Sequence, residues 1–190
     1  MGDGPTAGRV AAFLDRDGVL NRAVLRDGKP RPPATVADVV ILPGVRAACS
    51  SLRKAGVLLL VVTNQPDIAR RTTTRDEVDA INQHLTTELG LDAVLVCPHD
   101  DADGCDCRKP RPGLLLRAAE RFGVDLGRSA MIGDRDRDIE AGRRAGVTTV
   151  WVRSDYPEGP PTAPDHSVDG LAEVVPLLIP SLTVEEDSLR

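Results

Sequence analysis

Aromatic residues are scarce in this chain of 190 residues: two Phe, one Tyr and one Trp. The core must therefore be built from Leu, Val, Ile and Ala, the residues that buried parallel strands use. No apolar run approaches the roughly 20 residues that a membrane span requires, so no membrane association is expected. The first residues, Met1-Gly2-Asp3-Gly4-Pro5, lack a basic stretch followed by an apolar one, so they carry no secretion signal and the expected location is cytoplasmic. No basic cluster is interleaved with aromatics and the formal net charge is −5, which argues against nucleic acid as a partner. Only four cysteines occur, and three of them fall within one short segment.

The remainder is an ordinary globular composition, 41% hydrophobic and 28% charged, long enough for one domain with a full core. The reading is a single domain over 1–190, with a core of about 10–178 and flexible ends at 1–8 and 180–190. Apolar runs at Val10–Leu14, Val57–Val62, Ala93–Cys97, Ala130–Ile132 and Thr148–Val152 alternate with helical patterns at Val45–Lys54, Thr74–Leu89, Leu114–Phe122 and Asp136–Ala145. Residues 154–169 read as loop and Gly170–Leu178 as a terminal helix. Such alternation predicts an α/β fold, a doubly wound, Rossmann-like parallel sheet. Ligands of these sheets bind beyond the carboxyl ends of the strands.

Four polar motifs fall at such ends. Asp15 and Asp17 follow the first strand, two residues apart. Alternate residues of a strand share a face, so both reach one site, where paired carboxylates need a cation or a shared proton. Asp15 is the candidate nucleophile toward phosphorus, and Asp17 the acid/base that protonates a leaving alkoxide and then deprotonates water. That division of labour expects a higher pKa at Asp17 than at Asp15. Thr63, Asn64 and Gln65 follow the second strand and suit phosphoryl oxygens. Lys109, between Arg108 and Pro110, supplies a point charge to bridge nucleophile and phosphoryl group. Gly133 lets the backbone approach closely. Asp134 reaches a hard cation such as magnesium, and Asp138, one helical turn on, supports it.

The four motifs resemble those of the haloacid dehalogenase-type phosphatases, and the likeness runs from Val10 to Val152. It implies that Asp15 and Asp134 hold magnesium through their side chains and Asp17 through its backbone carbonyl. It also implies that Asp17 marks a phosphatase rather than a dehalogenase, which needs no acid for its leaving group.

A second cluster, Cys97, His99, Cys105 and Cys107, is a closed four-ligand set suited to structural zinc. It would stiffen the loop that carries Arg108 and Lys109. The zinc loop narrows the resemblance to the subgroup of heptose-bisphosphate phosphatases and histidinol-phosphate phosphatases. That likeness implies substrate contacts by Arg108 and Arg135. The implied activity is hydrolysis of a small phosphorylated metabolite, first a heptose 1,7-bisphosphate at C7, with histidinol phosphate as the alternative. A phospho-accepting signalling domain is the alternative of another class. No separate cap domain fits between the motifs, and Asn21–Pro33 reads as a specificity loop whose Arg26, Lys29 and Arg31 are candidates for a second phosphate. The chain is expected to act as a monomer or small homo-oligomer.

Overall fold

The computed structural model describes residues 8–26, 29–154 and 159–179; the expected flexible ends lie largely outside them. Six parallel strands form one sheet in the order β5-β4-β1-β6-β7-β8. They are β1 (Ala11–Leu14), β4 (Leu58–Asn64), β5 (Ala93–Cys97), β6 (Ala130–Gly133), β7 (Thr148–Val152) and β8 (His166–Val168). A two-stranded hairpin, β2 (Val24–Arg26) and β3 (Lys29–Arg31), branches off after β1. Helices α1 (Val45–Lys54), α2 (Arg75–Leu89), α3 (Gly113–Phe122) and α4 (Asp136–Ala145) connect the strands, and the short α5 (Val175–Leu178) follows β8.

Alternation along the strands divides the interior in two. Ala12, Leu14, Leu59, Val61 and Ile132 face one layer with α1, α2 and α5, while Phe13, Leu58, Leu60, Val62 and Met131 face the other with α3 and α4. Both faces are covered, so the strands carry near-continuous aliphatic runs. Each such side chain, fully buried, contributes about 1.5–3 kcal/mol by leaving water. On α1 the buried residues are Val45, Ala48, Cys49 and Leu52, the spacing that keeps one face of a helix on a sheet. Cys49 is thus a core residue. Helix α4 sits close to the sheet at Gly142, where an added Cβ would lie 2.8 Å from the Met131 Cβ.

The chain leaves β1 toward β4 and β5 on one side, then crosses to β6 and β7 on the other. That reversal puts the ends of β4 and β6 on either side of the end of β1, at a topological switch point. Among the described residues, the insertion between β1 and α1 is the hairpin and one 3-10 turn, with no domain-sized cap.

Strand β8 corrects the reading of 154–169 as loop throughout. His166, Ser167 and Val168 pair in parallel with Val150, Trp151 and Val152. Only Val168 of the three is buried, so this edge strand has little hydrophobic signature. A capping box fixes the start of α2: Thr74 accepts from the Glu77 backbone N–H at 3.2 Å and Glu77 accepts from the Thr74 N–H at 2.8 Å. The predicted terminal helix is shorter, a 3-10 turn at Leu171–Val174 leading into α5.

Candidate active site

The end of β1 holds Asp15 beside its two neighbours in the sheet. Its backbone N–H donates to the Ile132 carbonyl at 2.9 Å, which extends the β1–β6 ladder by one residue and fixes where the carboxylate points. Beyond it the chain turns through Gly18, whose φ of 103° is open to glycine alone at little cost. The turn closes with the Leu20 and Asn21 N–H groups donating to the Arg16 carbonyl.

Lys109 lies between two carboxylates, its Nζ 2.7 Å from Asp15 Oδ1 and 2.6 Å from Asp138 Oδ1, and its side chain is 1% exposed. Burial works against its charge, but Asp138 and Asp15 outweigh burial and hold the ammonium above the usual lysine range. The lysine backbone is clasped by Asn64 at the end of β4. The Asn64 amide donates to the Lys109 carbonyl at 3.0 Å and accepts from its N–H at 3.1 Å. Asp138 is placed by the third position of α4, where its Oδ2 accepts from the Arg135 N–H at 3.1 Å.

Gly133, at the end of β6, packs directly against that helix. A Cβ built there would lie 2.1 Å from the Asp138 Cβ. Substitution Gly133→Ala must push Asp138 off Lys109. Expected are a fall in kcat/KM of at least about tenfold and a loss of ~1–3 kcal/mol on urea unfolding, the usual cost of overpacking.

Asp15, Asp134 and Asp138 each bring a carboxylate oxygen within 4.8 Å of the others, all three residues buried. The Asp134 carbonyl is tied down by Trp151 Nε1 at 3.3 Å and Ser154 Oγ at 3.0 Å. Three buried carboxylates and one lysine leave excess negative charge, and an all-oxygen set of this kind suits magnesium. The donor set therefore fits the expected ion.

Protein groups alone push the Asp15 carboxyl up to about 6, chiefly by burial; Lys109 opposes this, while Asp138 and Asp17 add to it. The nucleophilic role expected of Asp15 needs its carboxylate form, which a bound cation favours. The linkage gives a test. Because the folded value lies above 3.8, the metal-free fold binds more protons than the unfolded chain over that interval and loses stability as pH rises through it. Magnesium needs the deprotonated form. The rise in thermal midpoint on adding magnesium is thus expected to be larger at pH 7.5 than at pH 5, read by scanning fluorimetry.

Asp17 stands outside the carboxylate cluster. Its oxygens accept from Arg16 Nη2 at 2.9 Å, Asn21 Nδ2 at 2.9 Å and Gln65 Nε2 at 2.9 Å. Arg16 is 1% exposed, and its Nη1 donates to Asn82 Oδ1 at 2.8 Å on α2. Sequence reasoning gave no role to Arg16 or Asn82 and placed Asn21 only at the start of the specificity loop. A buried arginine is recognisable only with its acceptors, and one of these lies 66 residues away. Gln65 Nε2 also donates to Thr63 Oγ1 at 3.0 Å, which leaves the threonine proton to point elsewhere.

A cavity of about 510 Å³ opens over these groups. Its walls include Asp15, Asp17, Thr63, Asn64, Gln65, Lys109 and Asp138, together with Arg31, Arg70, Arg108, Arg135 and Arg137. Asn64 and Gln65, expected to touch substrate, engage Lys109 and Asp17 through their side chains. Arg108 donates from Nε to Asp101 Oδ1 at 2.7 Å. That bond first, then the charges of Arg108 and Arg137, holds the Asp101 carboxyl below the usual carboxylate range. Arg70 makes two bonds to Asp100, 2.7 and 2.6 Å long. Arg135 reaches the Pro30 carbonyl of the hairpin at 3.4 Å. Of the three cations expected for a second phosphate, Arg31 lies 3.9 Å from Asp67; the side chains of Arg26 and Lys29 lie outside the described residues.

Asp100 and Asp101 belong to the segment that holds the cysteines. Cys107 Sγ is 3.3 Å from Cys97 Sγ, 3.4 Å from Cys105 Sγ and 3.2 Å from His99 Nδ1. Cys97 is 3.7 Å from both Cys105 and His99. With Zn–S bonds of about 2.3 Å, tetrahedral ligands stand about 3.8 Å apart. The spacing is far beyond a disulfide and close to that tetrahedron, so the residues fit zinc. No helix among the described residues is long and apolar enough to cross a membrane.

Comparison with known proteins places this arrangement. The family model described as HAD-hyrolase-like matches residues 106–174. The D-glycero-beta-D-manno-heptose-1,7-bisphosphate 7-phosphatase of Escherichia coli K12 is 34% identical over 179 residues, 86% of this chain and 91% of that protein. Its counterpart from Rhodopseudomonas palustris is 37% identical over 151 residues, 73% of this chain and 81% of that protein. Among solved structures, the D,D-heptose 1,7-bisphosphate phosphatase from B. bronchiseptica, complexed with magnesium and phosphate, superposes with a TM-score of 0.73 at 31% identity. The match covers 90% of this chain and 98% of that one.

Proposed function

The chain belongs to the haloacid dehalogenase-like phosphatases, in the family of the heptose-1,7-bisphosphate 7-phosphatases, and on that premise we propose that it removes the C7 phosphate of a D-glycero-D-manno-heptose 1,7-bisphosphate. It is a phosphoric monoester hydrolase. The observation that carries the reading is Lys109, held between Asp15 and Asp138 on the floor of a cavity rich in arginine.

Asp15 attacks phosphorus in line. A bond forms between its carboxylate oxygen and phosphorus as the bond to the sugar O7 breaks. Lys109 offsets the charge on Asp15 and on the phosphoryl oxygens. The Thr63 hydroxyl accepts from Gln65 and turns its proton to a phosphoryl oxygen. Asp17 protonates the departing O7. In the second half it takes a proton from water, which attacks phosphorus, releases inorganic phosphate and restores Asp15. To serve either half, Asp17 must exchange one of its donors, and Gln65 is the neutral partner shared with Thr63. Magnesium, held by Asp15, Asp134 and the Asp17 carbonyl with Asp138 behind them, would neutralise the phosphoryl oxygens. Zinc on Cys97, His99, Cys105 and Cys107 would fix the loop that carries Arg108. The working unit is one domain of about residues 10–178, placed in the cytoplasm.

The test is phosphate release from both anomers of heptose 1,7-bisphosphate and from histidinol phosphate, with magnesium present. Preference for a heptose bisphosphate supports the reading. Preference for histidinol phosphate, or a stable phosphoprotein without turnover, ends it.

A further inference from the structure

Arg137 lines the cavity and makes no hydrogen bond or ion pair with any described residue. The other arginines of the cavity wall are engaged: Arg70 by Asp100, Arg108 by Asp101, Arg31 by Asp67, and Arg135 by the hairpin. Arg137 is also in an unfavourable place. It lies in the first turn of α4, between Asp136 and Asp138, where the helix dipole opposes positive charge. A cation set against its helix, partly buried and without a bonded counter-ion, breaks local rules in the way that sites for ligands do. Its charge acts on Asp101, the carboxylate bonded to Arg108, and all three line the same cavity. Asp101 is the loose member of that pair, its side chain 79% exposed against 9% for Arg108.

We propose that Arg137 and Arg108 form a second anion subsite, which holds a phosphate of the substrate remote from the one transferred. The remote phosphate displaces the Asp101 carboxylate from Arg108 and bridges both guanidinium groups. This rests on the proposed substrate class and assigns its specificity to Arg137. A dianionic phosphate meets two arginines through charge-assisted bonds, which a single exposed carboxylate does not match.

The experiment measures competition with para-nitrophenyl phosphate hydrolysis, using fructose 1,6-bisphosphate and fructose 6-phosphate as competitors. In the unmodified enzyme the bisphosphate is expected to inhibit at least about tenfold more strongly, the value of one charged hydrogen bond. Arg137→Ala is expected to reduce that advantage to threefold or less, by the same loss, and Arg137→Lys to retain part of it. Asp101→Asn is expected to widen it by removing the competing carboxylate. An unchanged advantage in Arg137→Ala, or no advantage in the unmodified enzyme, overturns the subsite. A narrower advantage in Asp101→Asn overturns the exchange. Circular dichroism checks the fold, and Arg137→Gln replaces a misfolded alanine variant. Failure to hydrolyse heptose bisphosphate would sink the proposed function and is read separately, since the competition assay does not depend on it.

Discussion

Asp15→Asn is expected to lower kcat by at least about 10³-fold while the chain stays folded, because the amide is no nucleophile toward phosphorus and the rest of the site cannot replace it. Lys109 keeps Asp138 as a partner at 2.6 Å, so no buried cation is stranded. The carboxyl at position 15 is driven up to about 6 chiefly by burial, so a neutral side chain there relieves a cost. The thermal midpoint without magnesium should hold or rise, and the stabilisation by magnesium should shrink. Rapid-quench measurement with labelled substrate should detect no phosphoprotein. Turnover within tenfold of the parent would remove Asp15 from its assigned role.

Cys107→Ser is expected to cost at least about 100-fold in kcat/KM, more than the usual effect of losing a residue behind a metal ligand. Cys107 is the hub of the cluster, with all three partners within 3.4 Å, and it lies two residues before Lys109. Without it the bond from Arg108 to Asp101 and those from Arg70 to Asp100 lose their shared support. Metal analysis should find about one zinc per parent chain and none in the variant. A parent protein that is fully active without zinc would refute the site.

The sheet was legible in the sequence because both faces are buried: Val57–Val62 reads as strand without ambiguity, and Leu60 and Val61 are fully covered. The edge strand β8 was not, since two of its three residues face solvent. Motif spacing brought Asp15, Thr63, Lys109, Asp134 and Asp138 to one place because each stands at or beyond the carboxyl end of a strand of a parallel sheet. What spacing could not supply was partnership. Asn64 holds the Lys109 backbone across 45 residues, and Arg16 reaches Asn82 across 66. Such bonds depend on helix and strand packing, which leaves no local pattern. The engagement of Asp17 by three residues is likewise a property of the folded site.

The clasp of Asn64 on Lys109 has a bearing on how such enzymes diversify. The segment from Cys97 to Lys109 starts on strand β5 and ends on a backbone pinned to strand β4, so it is anchored at both ends by the sheet. Residues between the anchors that lie outside the cysteine–histidine cluster can change in number or charge without dislodging the lysine. Selection for a new metabolite can therefore rewrite the positions around those four side chains while the phosphate-transfer chemistry is inherited intact.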